Sequence, residues 1–354
     1  MATVLVSGAS GFVGKFLILA LLRKGDTVFA LLRQPQAQLA VLQHWLQTYG
    51  VNSEKLYAVR GDFKEANAGI SAADWQAMAE VTVIYHSGAL FAWGLTKDEA
   101  QQVNVLGAIA LLTSAANALK LTRFVQVSGY MLTMTAHLQR LGIDDDGEET
   151  NWPAIYQQVG AYEASKLEGH FAIKRAALRL NVPLTIIHPA TVIGHSETGE
   201  IAPNQVFRNT LHDLVEGKLW AVPDGNGYRL PLVSIDYLTQ FMAQIADYPD
   251  SAGQAYLVAD ENTPSLKAVL THCANQMGIA APRISMPVPL LQQLARWQWL
   301  GQQLGLSSEM LHFLRREQLN TTTSREMAAK MAIPSVALTT ALTQTMRYVM
   351  AQQR

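Results

Sequence analysis

Two groups of residues in this 354-residue chain have the types and spacing to do chemistry. The first is Tyr162-Glu-Ala-Ser-Lys166. On a helix, positions i and i+4 share a face, so an ammonium would stand beside a phenol. Such a neighbour stabilises phenolate and draws the phenol down from about 10. A drop of two units corresponds to roughly 2.7 kcal/mol. Tyr162 would then exchange a proton with a carbonyl–hydroxyl pair near neutral pH. Lys166 could also hydrogen-bond a ribose. On an arbitrary helix the same spacing is simply a solvated pair. The second group is Gly8, Gly11 and Gly14, between an apolar strand over Thr3 to Ser7 and a helical apolar pattern over Lys15 to Arg23. Strand, glycine turn and helix N-terminus make an anion site, because backbone N–H groups point outward and the helix dipole favours a phosphate. Gly8 permits the tight turn, Gly11 lets a pyrophosphate approach, and Gly14 lets the helix pack on the strand. Ser10, Phe12 and Val13 of the same turn are expected against the dinucleotide.

The elements that must position these groups follow in order. Asp26 to Leu32 reads as a second strand ending at Arg33. An acid at that point would hold both ribose hydroxyls and select NAD. None is present, and Arg33 can pair with a 2′-phosphate through its bidentate fork, which predicts NADP(H), with NAD(H) disfavoured. The alternative is a solvated surface arginine. Gln36 to Gly50 is helical and Leu56 to Val59 is a third strand, followed by Gly61-Asp62-Phe63. Asp62, with Phe63 beside it, could accept from the adenine amino group, or could simply form a turn. Trp75 to Glu80 is a helix and Val81 to His86 a buried strand, with His86 read as a satisfied core or loop histidine. The small residues Ser87, Gly88 and Ala89 after it let a cofactor lie across the strand end. A helix over Asn104 to Leu119, a strand over Arg123 to Ser128, a helix over Tyr162 to Leu180 and a strand over Leu184 to His188 follow. The acidic run Asp144 to Glu149 reads as a solvated loop with nothing local to pair with. Strands alternating with helices predict an α/β, Rossmann-type doubly wound parallel sheet.

Composition narrows the function. The chain is 49% hydrophobic and 16% charged, with net charge -1. A large core is available, and no basic face points to nucleic acid. One cysteine, Cys273, fits a reducing compartment, and nine scattered histidines predict no metal site. With no leader-like start and no long apolar run, the expectation is a cytoplasmic protein without an integral membrane segment. Apolar sequence around Trp297 and Trp299 could touch a membrane or partner, but reads better as core. After Gly194 the texture changes, with a turn cluster at 223–227, short strands over Pro231 to Asp236 and Ala255 to Val258, and helices from Ser265 onward. The expected organisation is a cofactor domain of residues 1–192 with 228–262. A smaller, mostly helical C-terminal substrate domain would hold residues 193–227 and 263–354. Their crevice is the expected substrate site.

Taken together, these motifs resemble the extended short-chain dehydrogenase/reductase family over essentially the whole chain. Gly8-Ala-Ser-Gly-Phe-Val-Gly14 resembles its cofactor turn, and Tyr162 with Lys166 its catalytic pair. Asn104-Val-Leu-Gly107 resembles its mid-helix asparagine motif, near the cofactor or purely structural. His188-Pro-Ala-Thr-Val-Ile-Gly194 resembles the segment beside the nicotinamide, which implies cofactor contacts from Pro189, Ala190, Thr191 and Val192. Pro231-Leu-Val-Ser-Ile-Asp236 resembles the strand returning to the cofactor domain. Leu31-Leu-Arg33, Gly61-Asp62, Gly69 to Trp75 and Ile84 to Ala89 are similar to the thioester-reductase or male-sterility branch. That likeness implies reduction of acyl thioesters, aldehydes or ketones with NADPH. It also implies a homodimer through the helices at 104–119 and 162–180. One position departs. Where the family has a Ser or Thr after the fifth strand's last serine, this chain has Gly129. Ser128 faces the other way in a regular strand, so it substitutes only if the strand end bends; otherwise Tyr130 or Thr133 supplies a hydroxyl, or none does.

The leading expectation is an NADP(H)-dependent oxidoreductase, with Tyr162 and Lys166 catalytic and Ser128 as the hydroxyl group. Its substrate would be small and partly apolar, because Leu90, Phe91 and Trp93 follow the fourth strand and Met131, Leu132 and Met134 the fifth. These residues could equally pack against the second domain. Two alternatives are a nucleotide-sugar epimerase or dehydratase with bound NAD, and a protein that senses NADP(H) without turnover.

Overall fold

The structure is a computed structural model that describes residues 1–91, 94–219, 221–223, 227–295, 314, 316 and 319–352. Trp93, Trp297, Trp299 and residues 224–226 of the turn cluster lie outside the described residues.

The alternation seen in the sequence becomes a regular succession. It runs β1 (Thr3–Ser7), α1 (Phe12–Lys24), β2 (Thr27–Leu32), α2 (Pro35–Thr48), β3 (Leu56–Arg60), α3 (Ala72–Ala77) and β4 (Val83–His86). Next come α4 (Lys97–Gln101), a π-helical turn (Gln102–Leu106), α5 (Gly107–Ala118), β5 (Arg123–Val127), α6 (Thr135–Leu141), α7 (Trp152–Val159), α8 (Ala161–Arg179) and β6 (Leu184–Pro189). Then follow β7 (Thr191–Ile193), α9 (Val206–Val215), β8 (Ala221–Pro223), β9 (Leu232–Ser234), α10 (Ile235–Ile245), β10 (Ala255–Val258), α11 (Leu266–Met277), β11 (Ile284–Met286), α12 (Val288–Ala295), α13 (Thr322–Lys330) and α14 (Leu338–Ala351).

Seven strands form one sheet in the order β10-β6-β5-β4-β1-β2-β3. Pairing from β1 through β6 is parallel. β10 runs the same way, since Ile186 N–H reaches Gln254 O and Ala190 N–H reaches Val258 O, four residues on in both strands. Strands covered on both faces are largely apolar, and His86, Arg123 and Gln126 are buried polar exceptions in β4 and β5. β4 and β5 are buried at every position. The order reverses between β4 and β1, the switch point where open α/β sheets hold ligands at their carboxyl ends.

Two compact units result: Met1–His188 with Thr239–Tyr256, and Pro189–Leu238 with Leu257–Arg354. The first holds the body of the large sheet and its flanking helices. The second is mainly helical, with the small parallel pairs β7–β9 and β8–β11.

Three local features differ from the sequence reading. Only Leu232–Ser234 of the Pro231–Asp236 segment is strand, and the chain turns at once into α10. The stripe Ile235, Leu238, Phe241, Met242 and Ile245 is wholly buried at helical spacing, and that burial decides the conformation. The helix through Asn104 starts earlier, at Lys97, because Thr96 and Glu99 form a capping box. The acidic run is the expected loop, exposed at Asp145, Asp146, Glu148 and Glu149, but it does find local hydrogen-bond partners. The Asp144 carboxylate accepts from Thr150 Oγ1 and from Glu149 N–H, and Arg175 donates to Asp146 O. The Thr150 bond holds the Asp144 carboxyl down at about 2.

Candidate active site

At the switch point the glycine turn and the end of β4 are in backbone contact. Ser7 pairs with His86 across β1 and β4. Gly8 has φ +69°, and a side chain there would stand 2.6 Å from Gly88 N and 2.7 Å from its Cα. Gly14 lies on the other side of the turn, where a Cβ would stand 2.1 Å from Gly8 O. Both glycines therefore let backbone meet backbone. Gly11 is different: it is exposed, and its Cβ would meet only Gly8 O at 3.1 Å. It is also the N-cap of α1, with no side-chain cap. The first turn of α1 thus keeps its N–H groups for an incoming anion, and the open face of Gly11 fits a pyrophosphate. Phe12 is buried, Val13 half-buried and Ser10 exposed.

Behind the turn, His86 is 2% exposed and its Nδ1 is 2.6 Å from Ser7 Oγ. Burial, with the Lys166 charge adding to it, pushes His86 down to about 3. It is a neutral core histidine, as expected. Ser87 Oγ donates to Ser7 O at 2.8 Å, and Gly88 lies against the Phe63 ring. Ala89 is exposed.

On the adenosine side, Arg33 is exposed just past β2 and forms no hydrogen bond or ion pair with a described residue. Gln34 N–H donates to Gln38 Oε1 at 2.8 Å, and Gln38 Nε2 reaches Ser10 Oγ at 3.3 Å. This link joins the end of β2 to the glycine turn. Asp62 Oδ1 accepts from Lys64 N–H at 2.9 Å, so the carboxylate also shapes its own turn.

Tyr162 and Lys166 lie on α8, one turn apart. Lys166 Nζ donates to Val127 O, the last residue of β5, at 3.0 Å. Burial pushes this ammonium down to about 8. Tyr162 packs edge-on against Phe91, with ring centroids 4.7 Å apart. Its phenol does not titrate as the spacing predicts. Burial, followed by the charge of Glu163, raises it above its ordinary value. Desolvation of the phenolate outweighs any help from Lys166, whose ammonium is directed at the β5 carbonyl.

Asn104 holds two segments to this helix. It accepts from Leu90 N–H at 2.7 Å and donates to Leu90 O at 3.2 Å and to Ser165 Oγ at 2.9 Å. It sits in the π-helical turn, whose carbonyl at Asn104 would be 2.5 Å from a Cβ on Gly169. π-turns often mark functional sites. Here the turn fixes the Leu90–Phe91 segment and α8 relative to each other.

At the end of β5 the hydroxyl question has a geometric answer. Ser128 is 5% exposed, and its Oγ lies 3.4 Å from His170 Nδ1. Thr133 Oγ1 donates to Tyr130 O at 2.7 Å, and Tyr130 is buried. Gly129 is extended, at φ -156°, and the space of its missing side chain holds Met131 Sδ, 2.3 Å from an ideal Cβ. His170 continues the Tyr162–Lys166 stripe by one further turn. The His188 ring lies tilted to it with centroids 5.5 Å apart, and donates from Nδ1 to Gly129 O at 3.0 Å. Burial lowers both rings, His188 to about 4. The i+4 spacing after Lys166 was the available sequence signal for His170, whereas the role of His188 depends on β5 and β6 being neighbours. His137 and Glu163, 2.6 Å apart, carried no sequence signal at all.

Pro189, Ala190, Thr191 and Val192 lie in the second unit, where Thr191 and Val192 pair with Leu232 and Val233. That unit also has a cavity of about 670 Å³ lined by Ser234, Tyr237, Asp260 and Leu342, and by none of the site residues named above.

The chain has relatives among known proteins. The model of the male sterility protein family matches residues 6–242. The chain belongs to this family. It is a male-sterility type member of the extended short-chain dehydrogenases/reductases. A sterol demethylase protein B of Methylococcus capsulatus (strain Bath) is 28% identical over 300 residues, which is 83% of this chain and 80% of that protein. A carboxylic acid reductase of Segniliparus rugosus is 27% identical over 242 residues, 61% of this chain but 20% of the relative. Among solved structures, the terminal R domain of the myxalamid PKS-NRPS pathway superposes with TM-score 0.75 at 22% identity, covering 99% of this chain and 91% of that one. The chain spans 20% or less of the length of some curated relatives it matches.

Proposed function

We propose that this protein is an NADP(H)-dependent oxidoreductase acting on the carbonyl or hydroxyl of a small, partly apolar aldehyde, ketone or acyl thioester. One observation carries the reading. Lys166, one turn from Tyr162 on α8, donates to the carbonyl at the carboxyl end of β5, two strands from the glycine turn on the same edge of the sheet. Gly8, Ser10, Gly11, Phe12 and Val13 would hold the pyrophosphate end, Arg33 a 2′-phosphate, and Asp62 with Phe63 the adenine. Ser87, Gly88 and Ala89 would lie along the cofactor. Pro189 to Val192 are assigned to the nicotinamide end. The bound nicotinamide supplies or accepts the hydride.

The remaining chemistry belongs to the chain. In reduction, Tyr162 gives its phenolic proton to the carbonyl oxygen as the carbon accepts hydride. Its raised value keeps it protonated, which suits a donor. Lys166, held by Val127 O, carries a charge that steadies the tyrosinate left behind and can grip the ribose. Ser128 supports α8 from behind through His170. Phe91 beside Tyr162 favours an apolar group next to the reacting carbonyl.

Exposed Leu106 and Leu178 on the two helical segments named above support a homodimer. Among the described residues no helix is long and apolar enough to cross a membrane. The missing acid after β2 disfavours an NAD-bound epimerase. Met131 in the side-chain space of Gly129 favours a second reading, NADP(H) binding without turnover. NADPH oxidation with a panel of aldehydes, ketones and acyl-CoAs separates the two. The proposal expects turnover that Tyr162→Phe removes, and NADPH preferred over NADH until Arg33→Ala. Parent rates from Tyr162→Phe, or equal affinities untouched by Arg33→Ala, refute it.

A further inference from the structure

The first turn of α8, which carries Tyr162, has no side-chain cap; Gly160 precedes it. It is held instead from its flanks. Asn104 takes one side through Ser165. On the other, Glu163 Oε1 lies 2.6 Å from His137 Nε2, and both residues are buried, at 4% and 8% exposure. Arg140 Nη2 lies 3.2 Å from His137 Nδ1. Arginine can only donate, so Nδ1 accepts and Nε2 carries the proton that it gives to Glu163. The chain of bonds thus runs from Arg140 through His137 to Glu163. A carboxylate in a first helical turn also suits the dipole there.

Residues 162 and 163 project in different directions from the helix. Glu163 is therefore turned towards α6 while Tyr162 meets Phe91. Fixing Glu163 fixes the rotation of the turn and, with it, the direction of the phenol. α6 follows closely on the Gly129–Met131 segment. One bond thus couples the altered end of β5 to the helix of the proton donor.

We propose that His137 is a positioning residue for Tyr162, acting through Glu163 to orient the first turn of α8. This rests on the reductase reading and deepens it. Arg140 on α6 is in contact with the pair; Lys166, His170 and Lys174 on α8, His86 on β4 and His188 on β6 act on one another along the Tyr162–Lys166 stripe. Burial lowers His86, His170 and His188, and the Lys166 charge adds to this, so they stay neutral. Glu163 is then the negative charge that acts on the phenol.

The test measures kcat, KM and the melting temperature for the parent and for His137→Ala, His137→Gln, Glu163→Ala, Glu163→Gln and Tyr162→Phe. His137→Ala should lower kcat by about 10- to 100-fold with KM for NADPH within about twofold, since misplacing a reacting group by an ångström costs on that order. The Gln amide can donate where Nε2 does, so His137→Gln should return kcat to within about threefold of the parent. Glu163→Gln keeps an acceptor for Nε2–H in its amide oxygen and should stay within about threefold of the parent kcat, whereas Glu163→Ala should fall as His137→Ala does. A merely structural role would lower the melting temperature without rescue of kcat by either Gln. The proposal is overturned by parent kcat in His137→Ala or Glu163→Ala, or by either Gln variant doing no better than the matching Ala. If the Ala variants do not fold, a kcat loss beyond about threefold in His137→Gln or Glu163→Gln overturns it. Loss of activity in Tyr162→Phe alone would leave the reductase reading standing and remove only this inference. Parent rates in Tyr162→Phe would remove both.

Discussion

The three glycines of the first turn should separate stability from cofactor binding when each is changed to alanine. At Gly8, an alanine must hold φ +69°, a left-handed value that costs an L-residue about 1–2 kcal/mol. Its Cβ would also stand 2.6–2.8 Å from backbone atoms of Gly88 and Ser87. Overpacking of this kind costs about 1–3 kcal/mol, so Gly8→Ala should lose about 2–5 kcal/mol. At Gly14 the left-handed contribution is absent, but the Cβ lies 2.1 Å from Gly8 O and 2.7 Å from Gly8 C. Neither atom is the tip of a flexible side chain, so Gly14→Ala should sit at or beyond the top of the overpacking range. At Gly11, φ is -77° and a single contact at 3.1 Å is involved. The cost there is that of a poorer N-cap, about 1 kcal/mol or less. Each kcal/mol shifts a domain of this size by about 2–4 °C. Thermal unfolding without added cofactor should therefore rank Gly14→Ala and Gly8→Ala well below Gly11→Ala. NADPH fluorescence titration, well below the transitions, should show Gly11→Ala weakened at least about tenfold, or about 1.4 kcal/mol. Parent-like NADPH binding by Gly11→Ala, or destabilisation equal to that of Gly14→Ala, would refute the division of roles.

Three further outcomes follow from the same geometry. Asn104→Ala strands Leu90 N–H and Leu90 O and removes the bond accepted by Ser165 Oγ, which still donates to Tyr162 O, and should cost about 2–4 kcal/mol at the usual penalty for unpaired groups; an unchanged melting temperature would contradict the bracing role. Lys166 sits at about 8 in the fold against 10.5 when free, so its charged form is disfavoured and the penalty is complete below 8. As pH rises from 8 towards 10.5, the unfolded chain holds the extra proton and the parent should gain stability relative to Lys166→Met; parallel melting curves across that window would contradict this. Leu178, 84% exposed on α8, should anchor the proposed dimer, and Leu178→Asp should halve the mass measured by light scattering; an unchanged mass would remove that helix from the interface.

Much of the fold could be read from local pattern. β1 and β10 match their expected bounds, because short runs of buried apolar residues between turns have one sensible conformation. α6, α7 and α10 were missed. The first two are only seven and eight residues long, too short for periodicity to stand out. α10 was hidden because its first residues continue an apolar strand. Within the site, the glycine turn and the Tyr162–Lys166 stripe were legible because their partners are a few residues away. His137 and Glu163 are 26 residues apart, and Ser128 and His170 are 42 apart. No local pattern announces such pairs.

The sequence alone placed three glycines at the entry to the first helix, Arg33 rather than an acid after the second strand, and Gly129 directly after Ser128. These are consequences of residue type and of separations of a few positions. Tertiary structure decided what each polar group does. It gave the Lys166 ammonium to Val127 O, turned the Ser128 hydroxyl to His170, placed the Met131 thioether beside Gly129 and bound Glu163 to His137. It also reversed the expected direction for the Tyr162 phenol. The physical reason is that burial and hydrogen-bond partners come from strands and helices distant in the chain, and desolvation outweighs the charge four residues away.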